Sequence, residues 1–139
     1  MNEFLISLNK VTSFEIPFKH WEFKNPLNKK ILDETVSISV PEGERSYDGT
    51  RAADNTGKGI DGKLRLFIDK NNSYLYPNLT SLITTLQSKE CQEIISRYLN
   101  KDLKNSYARL EVISDKKGFW LEPHKDIKEK IMTMMIWAN

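Results

Sequence analysis

Two residues near the carboxy-terminal end of the chain, His124 and Asp126, have the types and the spacing to share a metal ion. In an extended chain, side chains two apart project to the same side, with Cβ atoms roughly 6–7 Å apart. An imidazole and a carboxylate so placed can converge on one ion at about 2 Å from each donor atom. Lys125 points the other way and stays out of such a site. Imidazole plus carboxylate is the donor mixture of the triad of two histidines and one carboxylate that leaves open positions on ferrous iron. A bare His-x-Asp arises often by chance, and a solvated pair in a loop is its ordinary fate. The surroundings argue for more: a strand pattern, a turn at Gly118 and the aromatic pair Phe119-Trp120 lead in, and a long apolar run follows.

The elements that must position this pair read as helices first and strands last. Residues 14–23 carry apolar side chains near period two, an entry strand or extended arm. Asn25-Pro26 is a good helix start, with Leu27, Ile31 and Leu32 as the buried stripe. Residues 41–62 are rich in Gly, Asp, Lys and Ser, a long loop of the kind that serves as a lid or binding loop, and Arg51 within it is a substrate-contact candidate. Residues 64–68 read as a strand. Leu79, Leu82, Ile83 and Leu86 recur at helical spacing with Asn78 or Thr80 as caps, and Ser88 caps a second helix faced by Cys91, Ile94, Ile95, Tyr98 and Leu99. Residues 107–113 form a strand with Leu110 and Val112 on one face and Arg109 and Glu111 on the other. A turn at 115–118 and an extended segment at 119–126 follow. Residues 131–138 are apolar on both faces, the pattern of a strand buried on both sides. This order predicts an α+β fold in which helices buttress an antiparallel sheet.

Composition narrows the function classes. A chain of 139 residues, 39% hydrophobic and 29% charged, is one soluble domain's worth. The net charge of +2 is mild and no basic stripe with interleaved aromatics is present, so no nucleic-acid partner is expected. Residues 1–10 read as neither an export signal nor a membrane span, which gives the cytoplasm as the expected location and no membrane partner. The single cysteine, Cys91, sits in a helical pattern and reads as a buried apolar residue, not a nucleophile. The run Gly57-Lys58-Gly59-Ile60-Asp61-Gly62-Lys63 has the spacing of a phosphate-binding loop, but Leu64 follows where a hydroxyl is needed, and a strand follows where a helix is needed. It reads as a flexible glycine-rich loop.

The segment Glu122-Pro123-His124-Lys125-Asp126 resembles the E-P-H-x-D segment of prolyl-hydroxylase-like 2-oxoglutarate and iron(II)-dependent dioxygenases. Pro17-Phe18-Lys19-His20-Trp21 with the Asn-Pro-Leu that follows, and Pro77-Asn78-Leu79 leading into a helix, look like the amino-terminal segments of small members of that family. The resemblance implies a partial double-stranded β-helix, a jelly-roll or cupin relative, with amino-terminal buttressing helices. Residues 1–105 would be the helical buttress and loop region of a single domain, and residues 106–139 its first core strands.

By the same resemblance, His124 and Asp126 would ligate Fe(II), with 2-oxoglutarate as co-substrate and a small-molecule or peptide substrate. Tyr107 and Arg109 would face the same cavity as cofactor contacts. The position before the motif, often a tyrosine that contacts 2-oxoglutarate, is Leu121 here, which puts that contact in doubt. Family members also use a second histidine and a basic residue on later strands, and neither follows in a sequence that stops at Asn139. The expectation is therefore the amino-terminal part of an oxygenase fold, with doubtful activity as this chain. The only other histidine, His20, lies far upstream and reads as structural. An open edge at 131–138 would favour a homodimer. The competing expectation is a non-catalytic, cupin-like binding or oligomerisation module.

Overall fold

Local capping signals set where the helices begin. The computed structural model describes residues 2–41, 63–115, 117 and 125–138. Helix α1 (Glu3–Leu8) starts where the Asn2 side chain accepts from the Phe4 N–H at 3.0 Å. A short hairpin follows, β1 (Thr12–Phe14) antiparallel to β2 (His20–Glu22), with Phe14 opposite His20 and a cis Ile16-Pro17 bond in the connection. The expected single entry strand is thus two strands folded on each other. Helix α2 (Lys29–Ser37) starts three residues later than the Asn25-Pro26 signal implied. Asn25 takes a left-handed conformation at φ 49°, and Asn28 caps instead, its side chain accepting from the Ile31 N–H at 3.0 Å. Asparagine tolerates both positions, so the pattern alone did not choose between them.

Strand β3 (Lys63–Ile68) leads through a 3-10 turn (Ser73–Leu75) to helices α3 (Pro77–Leu86) and α4 (Lys89–Leu99). Proline opens α3, where its missing N–H costs nothing. The expected caps, Asn78 and Thr80, do not perform that task. Glu34 of α2 does: its carboxylate accepts from the N–H groups of Asn78 at 3.1 Å and Leu79 at 2.8 Å, and from the Asn78 side chain at 2.6 Å. Negative charge at a helix N-terminus also opposes the positive end of the helix dipole. Helix α4 starts as expected on Ser88, whose Oγ accepts from the Cys91 N–H at 3.2 Å. It ends at Asn100 in the left-handed conformation, φ 51°.

Strand β4 (Leu110–Asp115) pairs antiparallel with β3, Leu66 opposite Val112 and Ile68 opposite Leu110. The strand expected at 107–113 is therefore displaced toward the carboxy terminus, while the assignment of its faces holds. Leu66 and Ile68 join one buried cluster with Phe4, Leu8, Ile31, Leu79, Leu82, Cys91, Ile94 and Ile95, and Leu110 and Val112 pack against it. The architecture is α+β, with two small two-stranded antiparallel sheets; among the described residues neither sheet is closed or curled.

The expected third strand at 131–138 does not form. These residues have no regular secondary structure, and Met135 and Trp137 are 64% and 74% exposed. Only Met134 of that run packs on the core. An apolar run becomes a strand when a neighbouring strand takes up its backbone N–H and C=O groups, and no described strand pairs with this one. Among the described residues no helix is long and apolar enough to cross a membrane.

Two measurements check this packing. Glu34→Ala removes three hydrogen bonds at the start of α3 and should lower unfolding stability by about 1–3 kcal/mol, with Glu34→Gln recovering part of the loss in denaturant titration. Cys91 is fully buried, and that burial, followed by the neighbouring Glu90 charge, pushes its thiol from 9.0 up to about 11. The unfolded thiol then loses its proton near pH 9 and the folded one near pH 11, so stability should fall across that window. Cys91→Ala should flatten that part of the pH profile, and a thiol reagent should modify the native protein only as it unfolds.

Candidate functional site

Asp126 lies in a described stretch without regular structure, its side chain 48% exposed. Lys130 Nζ donates to Asp126 Oδ1 at 3.0 Å, and Thr133 Oγ1 reaches Oδ2 at 3.5 Å, the outer limit of a hydrogen bond. A cation arriving at this carboxylate meets an ammonium group already seated on one oxygen. His124, the other expected ligand, lies outside the described residues together with Leu121, Glu122 and Pro123. Arg51 and the glycine-lysine run of the long loop also lie outside them.

Among the described residues, no group of three or more His, Cys, Asp or Glu side chains could hold a metal ion. The described donors on their own therefore do not make up an iron site, and Asp126 is the one described member of the expected pair.

His20 is committed to the hairpin. Its Nδ1–H donates to the Phe18 carbonyl at 2.8 Å, its ring stacks on Phe14 at 5.0 Å between centroids, and Phe18 flanks it at 5.3 Å. Glu22 lies 4.0 Å from Nε2. These contacts give it the structural role that its position in the sequence implied.

Of the remaining candidates, Tyr107 and Arg109 both precede β4, and Arg109 lies beside the outward face of the β3–β4 sheet. Tyr107 is 82% exposed. Arg109, one residue before β4, places Nη2 2.8 Å from Glu111 Oε1 and its guanidinium 4.9 Å from the Phe67 ring centroid. The other Glu111 oxygen takes Arg65 Nη1 at 3.1 Å, and both of those side chains are only 16% exposed. Sequence reasoning missed Arg65. Alternation in 64–68 places it opposite Leu64 and Leu66, but its partner follows from the β3–β4 register, which aligns Arg65 with Ile113 and so brings Glu111 diagonally across. A separate cavity of about 270 Å³ between α1, α2 and α3 is lined by Asn2, Asn28, Ser81 and Thr85 among others, and by none of the candidate residues.

The Lys130 contact yields a direct test of the Asp126 carboxylate. Lys130→Met removes the competing ammonium and should tighten Co(II) binding several-fold in a titration followed by visible absorption. Asp126→Asn in the same background should abolish that gain. Comparisons of the chain with family models, with curated proteins and with solved structures find no match in any of the three.

Proposed function

We propose that the chain carries part of an iron(II) and 2-oxoglutarate-dependent hydroxylase, with His124 and Asp126 as two of the iron ligands. The observation that carries this reading is the Glu122-Pro123-His124-Lys125-Asp126 segment, an imidazole and a carboxylate at two-residue spacing. The α+β arrangement supports it, because helices pack on one face of an antiparallel sheet as the resemblance expects. In this reading β4 is a first core strand of a double-stranded β-helix, and residues 1–105, α1–α4 with them, are its buttress and loop region. Bound iron would orient 2-oxoglutarate and reduce dioxygen.

The chain's own residues would do the positioning. His124 and Asp126 donate to the metal, which takes the place of Lys130 on the Asp126 carboxylate, and Tyr107 and Arg109 contact the co-substrate. Arg51 is the substrate-contact candidate, for a small molecule or a peptide. A third donor is needed, and His20 is already engaged by Phe18 and Phe14. A partner chain could supply that imidazole, and the exposed apolar side chains of 131–138 offer a surface for a homodimer. The buried free thiol of Cys91 accords with a reducing cytoplasmic setting.

The competing reading is a cupin-like binding or oligomerisation module without catalysis. The Lys130 ion pair on Asp126 favours it, since it satisfies the carboxylate without a metal. Release of succinate from 2-oxoglutarate with added iron(II) separates the two. The hydroxylase reading expects turnover that His124→Ala and Asp126→Asn each abolish, together with at least about tenfold weaker Co(II) binding. Folded protein with no turnover, and metal affinity indifferent to His124→Ala, would leave the module reading standing.

A further inference from the structure

A cavity of about 270 Å³ lies where the starts of α1 and α2 meet α3. Its floor is apolar and belongs to the core: Phe4, Ile31 and Leu82 are 2%, 8% and 4% exposed. Its rim is polar, with Asn2 and Glu3 at the start of α1, Asn28 at the start of α2, and Ser81 and Thr85 on α3. An apolar floor under a few convergent polar groups is the make-up of a small-molecule site, and the volume falls just short of the roughly 300 Å³ at which drug-sized sites begin.

What the rim offers depends on what the fold has already used. The two asparagines spend their carbonyl oxygens as caps, Asn2 Oδ1 on the Phe4 N–H and Asn28 Oδ1 on the Ile31 N–H, each at 3.0 Å. Each amide therefore turns its nitrogen away from the backbone that it caps. Asn2 Nδ2 donates to Thr85 Oγ1 at 2.8 Å, which joins α1 to α3 beside the cavity. Thr85 in turn donates to the Ser81 carbonyl at 3.1 Å. Among the described residues, nothing pairs with Asn28 Nδ2, the Ser81 hydroxyl or the Glu3 carboxylate. The unspent groups are thus amide donors, one hydroxyl and one carboxylate.

We propose that this cavity binds a small neutral polyol, a monosaccharide or cyclitol, with its C–H face on Phe4, Ile31 and Leu82. A hydroxyl both donates and accepts, so a ring carrying several of them accepts from Asn28 Nδ2, donates to Glu3 and does either with Ser81. Other ligand classes fit less well. A small anion meets the Glu3 carboxylate, and among the described residues no lysine or arginine lines the cavity to offset it. An ammonium ion pairs with Glu3 but has no acceptor for the amide donors. A purely apolar molecule covers the floor and leaves the rim desolvated without partners. The cavity shares no residue with the proposed iron site or its co-substrate contacts, so the two readings fail separately.

The test titrates the full chain, without added metal, with the methyl α-glycosides of glucose, galactose and mannose and with myo-inositol. The Asn28 side-chain amide resonances are followed by NMR, with cyclohexanol and methylammonium chloride run in parallel. At least one of the four polyols is expected to give a saturable shift that neither control produces. Glu3→Gln should weaken that polyol roughly tenfold, the scale of a hydrogen bond to a charged group, and Ser81→Ala about threefold. Absence of a saturable shift with all four polyols overturns the site, as does affinity unchanged in both variants. Cyclohexanol matching the polyols reduces it to an apolar crevice, and methylammonium saturating more tightly overturns the polyol assignment. If the variants do not fold, the polyol and control titrations of the unaltered chain decide the matter.

Discussion

A two-stranded sheet is too small to hold itself together in water, and this one survives by burying a single face. Strands β3 and β4 are separated in sequence by two helices, so their pairing is a long-range contact that gains nothing until the chain between them has folded back. Leu66 and Ile68, each 4% exposed, supply the face that makes the return favourable, and Leu110 and Val112 extend it from the other strand. The cluster they join includes Cys91, Ile94 and Ile95 of α4, Leu79 and Leu82 of α3, Ile31 of α2 and Phe4 and Leu8 of α1. One apolar cluster therefore holds every helix and the larger sheet. Truncating a residue at its centre, such as Leu82, removes both transfer energy and packing, a loss of about 2–5 kcal/mol.

Polar contacts then fix how the helices sit on that cluster. Glu34 reaches from α2 to the N-terminus of α3, satisfying donors that no residue of α3 itself satisfies. The Tyr98 hydroxyl donates to the Leu8 carbonyl at 2.8 Å, joining α4 to the end of α1 across most of the sequence. Ser7, buried in α1, donates to the Lys24 carbonyl at 2.6 Å and pins the segment that follows the hairpin. Each contact uses a polar group that would otherwise be costly to bury. Together they give the apolar cluster a single arrangement.

The two faces of the β3–β4 sheet divide the labour. The inner face is apolar and carries stability, and the outer face holds Arg65, Phe67, Glu111 and, just beyond the ladder, Arg109. Alternation made this division legible for 107–113, where Arg109 and Glu111 were assigned away from Leu110 and Val112. It could not say that Arg65 is their partner, because diagonal neighbours depend on which residues of two distant strands are aligned. The Asp126 carboxylate was legible as a possible donor from its spacing to His124. That Lys130 and Thr133 engage it was not, because the sequence pattern assigned Lys130 to no element and read Thr133 as part of a strand at 131–138.

By itself, the sequence determined the local signals, Ser88 as a cap, the apolar stripes of α3 and α4 and the burial of Cys91, and with them the α+β class. These follow from short-range rules, periodicity and hydrogen bonding within a few residues, which the chain obeys before it folds. Tertiary structure decided the rest. It capped α3 with Glu34 in place of Asn78, began α2 at Asn28 in place of Asn25, folded 14–23 into part of a hairpin, and left 131–138 without a strand partner among the described residues. Each depends on which distant groups come within hydrogen-bond reach, and a donor or acceptor has no preferred partner until the fold brings one near.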